Sequence, residues 1–469
     1  MPPIAEVALP WDRPGMDVVA ELGEARRRLG DQFVVDSGDD RYLFVLSPKG
    51  VAAFYSLDEA VASKGVADWR MLRRKLPPEV FAGRRTVPHE LFARTDVEHY
   101  LRQLSWALEL AIGELGDSGA TEIFGFTRRL AHRMGLASWG GPGMAEGATF
   151  ERLVDALETL DAAQSFVNPE AMATVAATDY REERAALAAV TEETAVALDR
   201  AARTPADQSP LFRRIAARWA DERPPAASLG VALDIALVHV ASMSNLVAAL
   251  GWAIVDVVDH PQLAARVAAG DRRLAECCAL ESTRLAQRSI MARFVLAPLV
   301  LDVGDEPLAI EPGVTIATLL PLTNTSAAPG LADWQPERWE QRRLCRPELA
   351  VPELVTTFGH GRHRCPARSF SLAAMATTLV RLFERYDMTG QWHGRPPYQP
   401  AQIGGVGRPS LPCVVDYRLR RPGAPTGAGR QAPGSGQHAS VTGAATSTTS
   451  TAEATGTSGG PPAARRRSS

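Results

Sequence analysis

The chain has 469 residues, 45% of them hydrophobic and 22% charged, with a formal net charge of −3 and a pI near 6.3. This is globular composition, and the slight acidic excess excludes a protein that grips nucleic acid by charge. The length suits one large domain or two to three ordinary ones.

Lysine occurs only at Lys49, Lys64 and Lys75, so arginine supplies nearly all the basic charge, as in proteins from GC-rich bacterial genomes. The five cysteines (Cys277, Cys278, Cys345, Cys365 and Cys413) are odd in number and lack paired metal spacing. That favours a reduced, cytoplasmic protein over a disulfide scaffold. Residues 1–13 contain acids and prolines and no signal-like apolar run. A charge-free apolar run of about 18 residues, the length of a membrane span, is not expected anywhere. The protein is therefore expected to be soluble, with no membrane anchor.

In chain order, the first local signal is a hairpin. Gln32–Val35 and Arg41–Leu46 are strand-like, and the cluster Asp36-Ser37-Gly38-Asp39-Asp40 between them is a turn. Alanine- and leucine-rich segments with helical spacing follow at 97–116, 121–135, 150–163, 180–202, 208–220, 228–258 and 260–290. After residue 290, short β-type runs (Phe294–Val303 and Val314–Leu320) alternate with turns. A helix returns at 366–385, and strands close the fold near 411–418. The expected class is mainly α with smaller β sheets. From Arg421 onward almost no large apolar residue occurs, so 421–469 cannot bury enough surface to offset its ordering entropy. A disordered tail is expected there.

Chemistry concentrates at Phe358-Gly359-His360-Gly361-Arg362-His363-Arg364-Cys365-Pro366-Ala367. A cysteine ending a glycine-bearing loop and starting a helix gains free N–H groups and the positive end of the helix dipole. The neighbouring Arg and His residues are expected to lower its pKa further. Glycine lets the loop approach a flat cofactor, and Pro366 in the first turn costs no hydrogen bond.

Phe358, Gly361, His363 and Cys365 resemble the haem-binding signature of the cytochrome P450 family, F-x-x-G-x-(R/H)-x-C-x-G. Ala367 departs from the final glycine. The resemblance covers about residues 15–420 and implies the mostly α cytochrome P450 fold, as one haem domain over 1–420. It implies haem b (iron protoporphyrin IX) as cofactor, with Cys365 as the iron ligand. A thiolate there pushes electron density onto the iron and favours O–O cleavage.

Glu281-x-x-Arg284 and Pro336-Glu337-Arg338-Trp339 resemble two further family motifs, E-x-x-R and P-E-R-F. The i, i+3 spacing puts Glu281 and Arg284 on one helical face. The resemblance implies a buried triad of Glu281, Arg284 and Arg338 that fixes the cysteine loop. It also implies that Arg293 and His363 bind haem propionates. His99 and Arg102 are candidates for a third partner, with a solvated helix face as the alternative.

In the family, the helix matching 228–258 carries A-G-x-(D/E)-T, whose acid and alcohol relay protons. Here the segment reads Ala241-Ser242-Met243-Ser244-Asn245-Leu246, with Asn245 placed at the acid and Leu246 at the threonine. With Trp252 seven residues after Asn245, it resembles the branch of prostacyclin synthase and cholesterol 7α-hydroxylase. Leu246 places it on the isomerase side. Leu246 relays no proton, and Asn245 hydrogen-bonds without ionising. Ser242 or Ser244 would be a partial substitute. The expectation is an enzyme whose small lipophilic substrate, from specialised metabolism, brings its own weak O–O or N–O bond. The alternative is an O2-dependent monooxygenase, for which alone ferredoxin and its reductase are partners. A further alternative is a non-catalytic haem protein.

Overall fold

The Asp36–Asp40 cluster does turn the chain. Strands β1 (Gln32–Ser37) and β2 (Asp40–Val45) pair antiparallel, with the rings of Phe33 and Phe44 stacked 5.3 Å apart. Gly38 takes the turn at φ +56°, where a side chain would be strained. This computed structural model describes residues 2–9, 12–13, 16–82, 94–161, 169–204, 209–304, 306–345 and 348–420. The expected tail at 421–469 lies outside them.

The hairpin is the edge of a five-stranded sheet that also takes β3 (Ala62–Ser63), β5 (Ile290–Val295) and β6 (Val314–Leu319), in the order β1-β2-β6-β5-β3. Strand β4 (Ser118–Glu122) belongs to a second sheet with β7 (Tyr386–Gly390) and β8 (Val414–Leu419), β8 lying in the middle. In the first sheet Ser63 pairs with Phe294, so residues near 60 meet residues near 293.

Two small two-stranded sheets and helices make most of the rest; the helices used below are α1 (Lys64–Leu72), α2 (Arg94–Leu115), α3 (Ile123–Trp139), α4 (Gly147–Leu160), α5 (Arg181–Arg203), α6 (Ala226–Val258), α7 (Pro261–Ala268), α8 (Arg272–Ala286) and α9 (Arg368–Arg385). The helical run expected over 260–290 is broken in two. Gly270 turns at φ +87°, and the Asp271 carboxylate accepts from Leu274 N–H to cap α8. From Ile290 the chain is already strand.

Helix α6 corrects the expectation about apolar runs. Residues 235–255 hold no Asp, Glu, Lys or Arg. By length and composition α6 could cross a membrane, with a mean hydropathy of 1.7. Here it is a core helix, packed by α3, α5, α8 and α9. A helix that is apolar all round must be buried all round, in protein or in lipid. At Gly251 an added Cβ would lie 2.6 Å from the Phe124 ring, so α3 and α6 approach closely.

Candidate active site

Cys365 stands three residues before α9. Its N–H donates to Phe358 O at 2.8 Å, closing the loop, and its carbonyl accepts from Arg368 N–H at 3.3 Å. Gly359 (φ +75°) and Gly361 (φ +59°) make the curl between them. A Cβ on Gly359 would lie 2.9 Å from His363 O. Ala367, where the family pattern has glycine, has φ −80°, so its methyl group is tolerated.

The electrostatics of the thiol differ from expectation. Burial pushes the Cys365 thiol up, opposed by the N–H groups of Ala367 and Arg368 and by Lys64. The loop's own basic residues point elsewhere. Arg362 is 78% exposed and reaches Asp58 at 3.3 Å, while His363 Nε2 faces Glu59 at 3.4 Å. The helix N-terminus thus favours the thiolate, the loop cations contribute little, and a bound metal ion would supply the remaining stabilisation.

Arg293 and His363 are brought together. Both face Glu59 Oε2, at 3.7 and 3.4 Å, although they come from β5 and the cysteine loop. Arg293 Nη1 also donates to Ala62 O at 3.0 Å. Glu59 is held by Ser63 Oγ and by the N–H groups of Lys64 and Gly65 at the start of α1. Those donors keep its pKa below the usual range despite some burial.

Among the described residues, His99 and Arg102 make no ion pair with Arg293, His363 or Glu59. Helix α2 is tied to the helix Pro210–Arg218 by the two contacts of Arg214 with Asp96, at 2.8 and 3.3 Å. Burial pushes the His99 pKa down, and the charges acting on it are Arg102, Asp96 and Arg213. Arg102 is exposed. Both residues lie on one helix, three apart, and α2 packs against α9, with Tyr100 edge-on to Phe370 at 5.6 Å, while His99 Nε2 is buried without a hydrogen-bond partner.

The triad forms as the motifs implied. Glu281 and Arg284 are fully buried, and Arg284 grips Glu281 through Nε at 2.9 Å and Nη2 at 2.8 Å. Arg338 Nε lies 2.8 Å from Glu281 Oε1. The triad's link to the cysteine loop runs through residues that the motifs do not contain. Asn324 donates to the carbonyls of Arg284 and Thr356, both at 3.0 Å, and accepts from Thr356 N–H at 2.8 Å. Gln287 donates to Thr357 O at 2.8 Å. A buried Asn or Gln has no sequence signature, so neither was visible beforehand.

On α6, every residue from 230 to 258 is buried except Leu237, Ala241, Ser242 and Asn245. At 100° per residue, Leu237, Ala241 and Asn245 lie within one narrow sector. The helix therefore has one opening in its packing, and Asn245 stands on it. Ala241 and Asn245 are four residues apart, as are the alanine and threonine of A-G-x-(D/E)-T. Leu246 is 5% exposed and joins the apolar core. Ser244 is buried too, with its carbonyl bound by Arg408 at 3.0 Å. Asn245 Oδ1 accepts from Val406 N–H at 2.9 Å.

These features define a class: a mostly helical chain with a cysteine at a helix N-terminus, a buried charge triad and an opening on the core helix. No protein-family profile matches the chain. Among curated proteins it is similar to 24-hydroxycholesterol 7-alpha-hydroxylase of Homo sapiens, 24% identical over 205 residues that cover 38% of this chain and 42% of that protein. It is also similar to mitochondrial cytochrome P450 302a1 of Drosophila melanogaster, 34% identical over 88 residues, 19% of this chain and 17% of that protein. The chain matches less than half the length of these relatives. Among solved structures it is similar to CYP175A1 of Thermus thermophilus, with a TM-score of 0.62 and 18% identity, covering 88% of this chain and 96% of that one. The chain has the cytochrome P450 fold.

This fold implies a haem. The residues present fit one. Cys365 offers a sulfur at a helix N-terminus, Arg293 and His363 already converge on a carboxylate, and α6 leaves one gap in an otherwise closed face.

Proposed function

We propose that this protein is a haem-thiolate enzyme acting on a small lipophilic molecule. Cys365 would hold the iron of haem b, and Arg293 and His363 its propionates. A soluble, cytoplasmic chain fits the burial of α6. Once bound, the haem supplies a thiolate-ligated iron suited to cleaving O–O bonds.

The observation that carries the reaction type is the orientation of Asn245. Its oxygen is occupied by Val406 N–H. With the oxygen so engaged, the amide N–H2 would be the group available to a molecule in the opening. That group can hold an oxygen of a bound molecule but cannot release a proton near neutral pH. Leu246 and Ser244 are turned into the packing, and Ser242 supplies the only hydroxyl at the rim of the opening on α6. Such a wall suits a substrate that brings its own O–O or N–O bond, followed by rearrangement or group transfer.

A second reading, an O2- and ferredoxin-dependent monooxygenase, has its own support. The human relative is named a hydroxylase. A groove beside the cysteine loop is lined by Arg342, Arg343, Arg364 and Arg368, which suits an acidic electron donor.

The test uses the haem-loaded protein with cumene hydroperoxide under argon, and separately with lipophilic candidate substrates, O2, NADPH, ferredoxin and ferredoxin reductase. The first reading expects hydroperoxide consumption and rearranged products without reductant. Turnover that strictly requires O2 and electrons sinks it and supports the second. In either case Cys365→Ala should lose the ferrous–carbonyl absorption typical of thiolate ligation while keeping its circular dichroism.

A further inference from the structure

The segment Gln402-Ile403-Gly404-Gly405-Val406-Gly407-Arg408 has three glycines, two of them in the left-handed region (Gly404 φ +104°, Gly405 φ +65°). Such a loop is entropically costly to hold in one shape, and its glycines have no side chains to anchor it. Fastening must come from its neighbours. One neighbour is the exit of α8. Arg288 N–H donates to Gly405 O at 2.9 Å, Gly404 N–H to Arg288 O at 2.7 Å, and Gly407 N–H to Ala286 O at 2.7 Å. Gln402 braces the loop from within, donating to the carbonyls of Gly404 and Val406 and accepting from Arg408 N–H.

The other neighbour is α6. Trp252 Nε1 donates to Gly407 O at 2.6 Å, Arg408 donates to Ser244 O at 3.0 Å, and Asn245 Oδ1 accepts from Val406 N–H at 2.9 Å. Trp252 is wholly buried, with Phe124 and Tyr398 edge-on and Arg395 over its ring. Ser244 contributes only backbone. Among the described residues of α6, Asn245 is the side chain that both stands on the opening and bonds the loop.

We infer that Asn245 is a positioning residue: its amide clamps the 402–408 loop to α6 and so sets the width of the opening, and with it the size of molecule admitted. The inference rests on the reading that this opening is the wall above the haem. It separates Asn245 from the acid of the family pattern. An acid there moves protons, whereas this amide commits its acceptor to a backbone N–H and keeps its donors for the ligand. The loop would thus act on selectivity through Val406 without contributing a catalytic group.

The clamp makes a distinction among substitutions. Asn245→Asp keeps an oxygen for Val406 N–H. Asn245→Ala leaves that N–H without its acceptor. Trp252→Phe removes the neighbouring anchor at Gly407. Hydrogen exchange over 402–408 and Soret shifts with imidazole and 4-phenylimidazole would be measured on the haem-loaded full chain. In Asn245→Ala, exchange at 402–408 should quicken, and the affinity ratio of the two imidazoles should shift, each about tenfold, as expected from one lost buried hydrogen bond. Trp252→Phe should quicken exchange similarly, and Asn245→Asp should stay within about twofold of wild type on both measures. The inference is overturned if Asn245→Ala exchanges and discriminates like wild type, or if Asn245→Asp is as loose as Asn245→Ala. Absence of any Soret response to both imidazoles in the wild type would sink the haem reading instead, while exchange still decides the clamp.

Discussion

Replacing Glu281 with Gln tests the charge triad most directly. Wild type holds one carboxylate against two guanidiniums, a net charge of +1; the variant would hold +2, still fully buried. The Glu281 carboxylate takes four donors, Arg284 Nε and Nη2, Trp339 Nε1 and Gln335 N–H, at 2.8 to 3.0 Å, and forms an ion pair with Arg338 Nε at 2.8 Å. A Gln side chain has one acceptor oxygen in place of two and brings N–H groups into a space already full of donors. Removing one partner of a buried pair costs about 3–5 kcal/mol. Part of the excess charge is already met by backbone carbonyls. Arg284 donates to those of Asn324 and Leu331, and Arg338 to those of Gly330 and Asp333. We therefore expect a loss near the lower end, about 3 kcal/mol, a large share of the roughly 5–15 kcal/mol that holds a typical domain. Urea unfolding followed by far-UV circular dichroism measures it. A triple variant, Glu281→Met with Arg284→Met and Arg338→Leu, should lose less than Glu281→Gln alone, because no charge is left unpaired. A loss below about 1 kcal/mol in Glu281→Gln would refute the argument and mean that the carbonyls suffice.

Arg293→Met should speed transfer of haem to apomyoglobin about tenfold, the worth of one charge-assisted hydrogen bond; an unchanged rate would remove Arg293 from the propionate site. A pH test concerns the buried pair His132 and His239. Trp139 Nε1 donates to His239 Nδ1 at 3.1 Å, and His239 Nε2 lies 2.8 Å from His132 Nδ1, so His239 is held neutral with its proton on Nε2. Burial pushes the His239 pKa well down. Below the unfolded pKa, near 6.5, the unfolded chain takes up a proton that the folded chain refuses. His239 should therefore cost stability as pH falls through that range, by about 1.4 kcal/mol per pH unit. Comparing urea midpoints of wild type and His239→Gln between pH 7 and pH 5 isolates it from His99, His360 and His363, whose pKa values are also lowered. Equal slopes in the two proteins would exclude His239 as the source.

The cysteine loop was legible because its chemistry is local. Within ten residues it holds the turn glycines, the ligand and the helix start, and the backbone closes it through Phe358 and Cys365 alone. Glu281 and Arg284 were legible for the same reason, three residues apart on one helix. Arg338 needed the family's order of motifs, since it lies beyond two further segments of chain. Glu59 was not legible at all. It reaches Arg293 and His363 only because β3 pairs with β5, and nothing in the sequence near residue 59 announces that pairing.

The distal helix marks the division most clearly. Sequence alone determined that 228–258 is a helix, that it carries no carboxylate–alcohol pair around Asn245, and that Cys365 is the candidate ligand. It could not say which face of the helix is open. Residues 235–255 are apolar nearly all round, so periodicity gives no direction. Tertiary packing decided it, by covering every position from 230 to 258 except Leu237, Ala241, Ser242 and Asn245. That choice moved Leu246 into the core, put Asn245 on the opening, and tied it to a loop 161 residues away. A helix fixes only the angles between its own side chains; what each angle faces is set by the elements that pack around it.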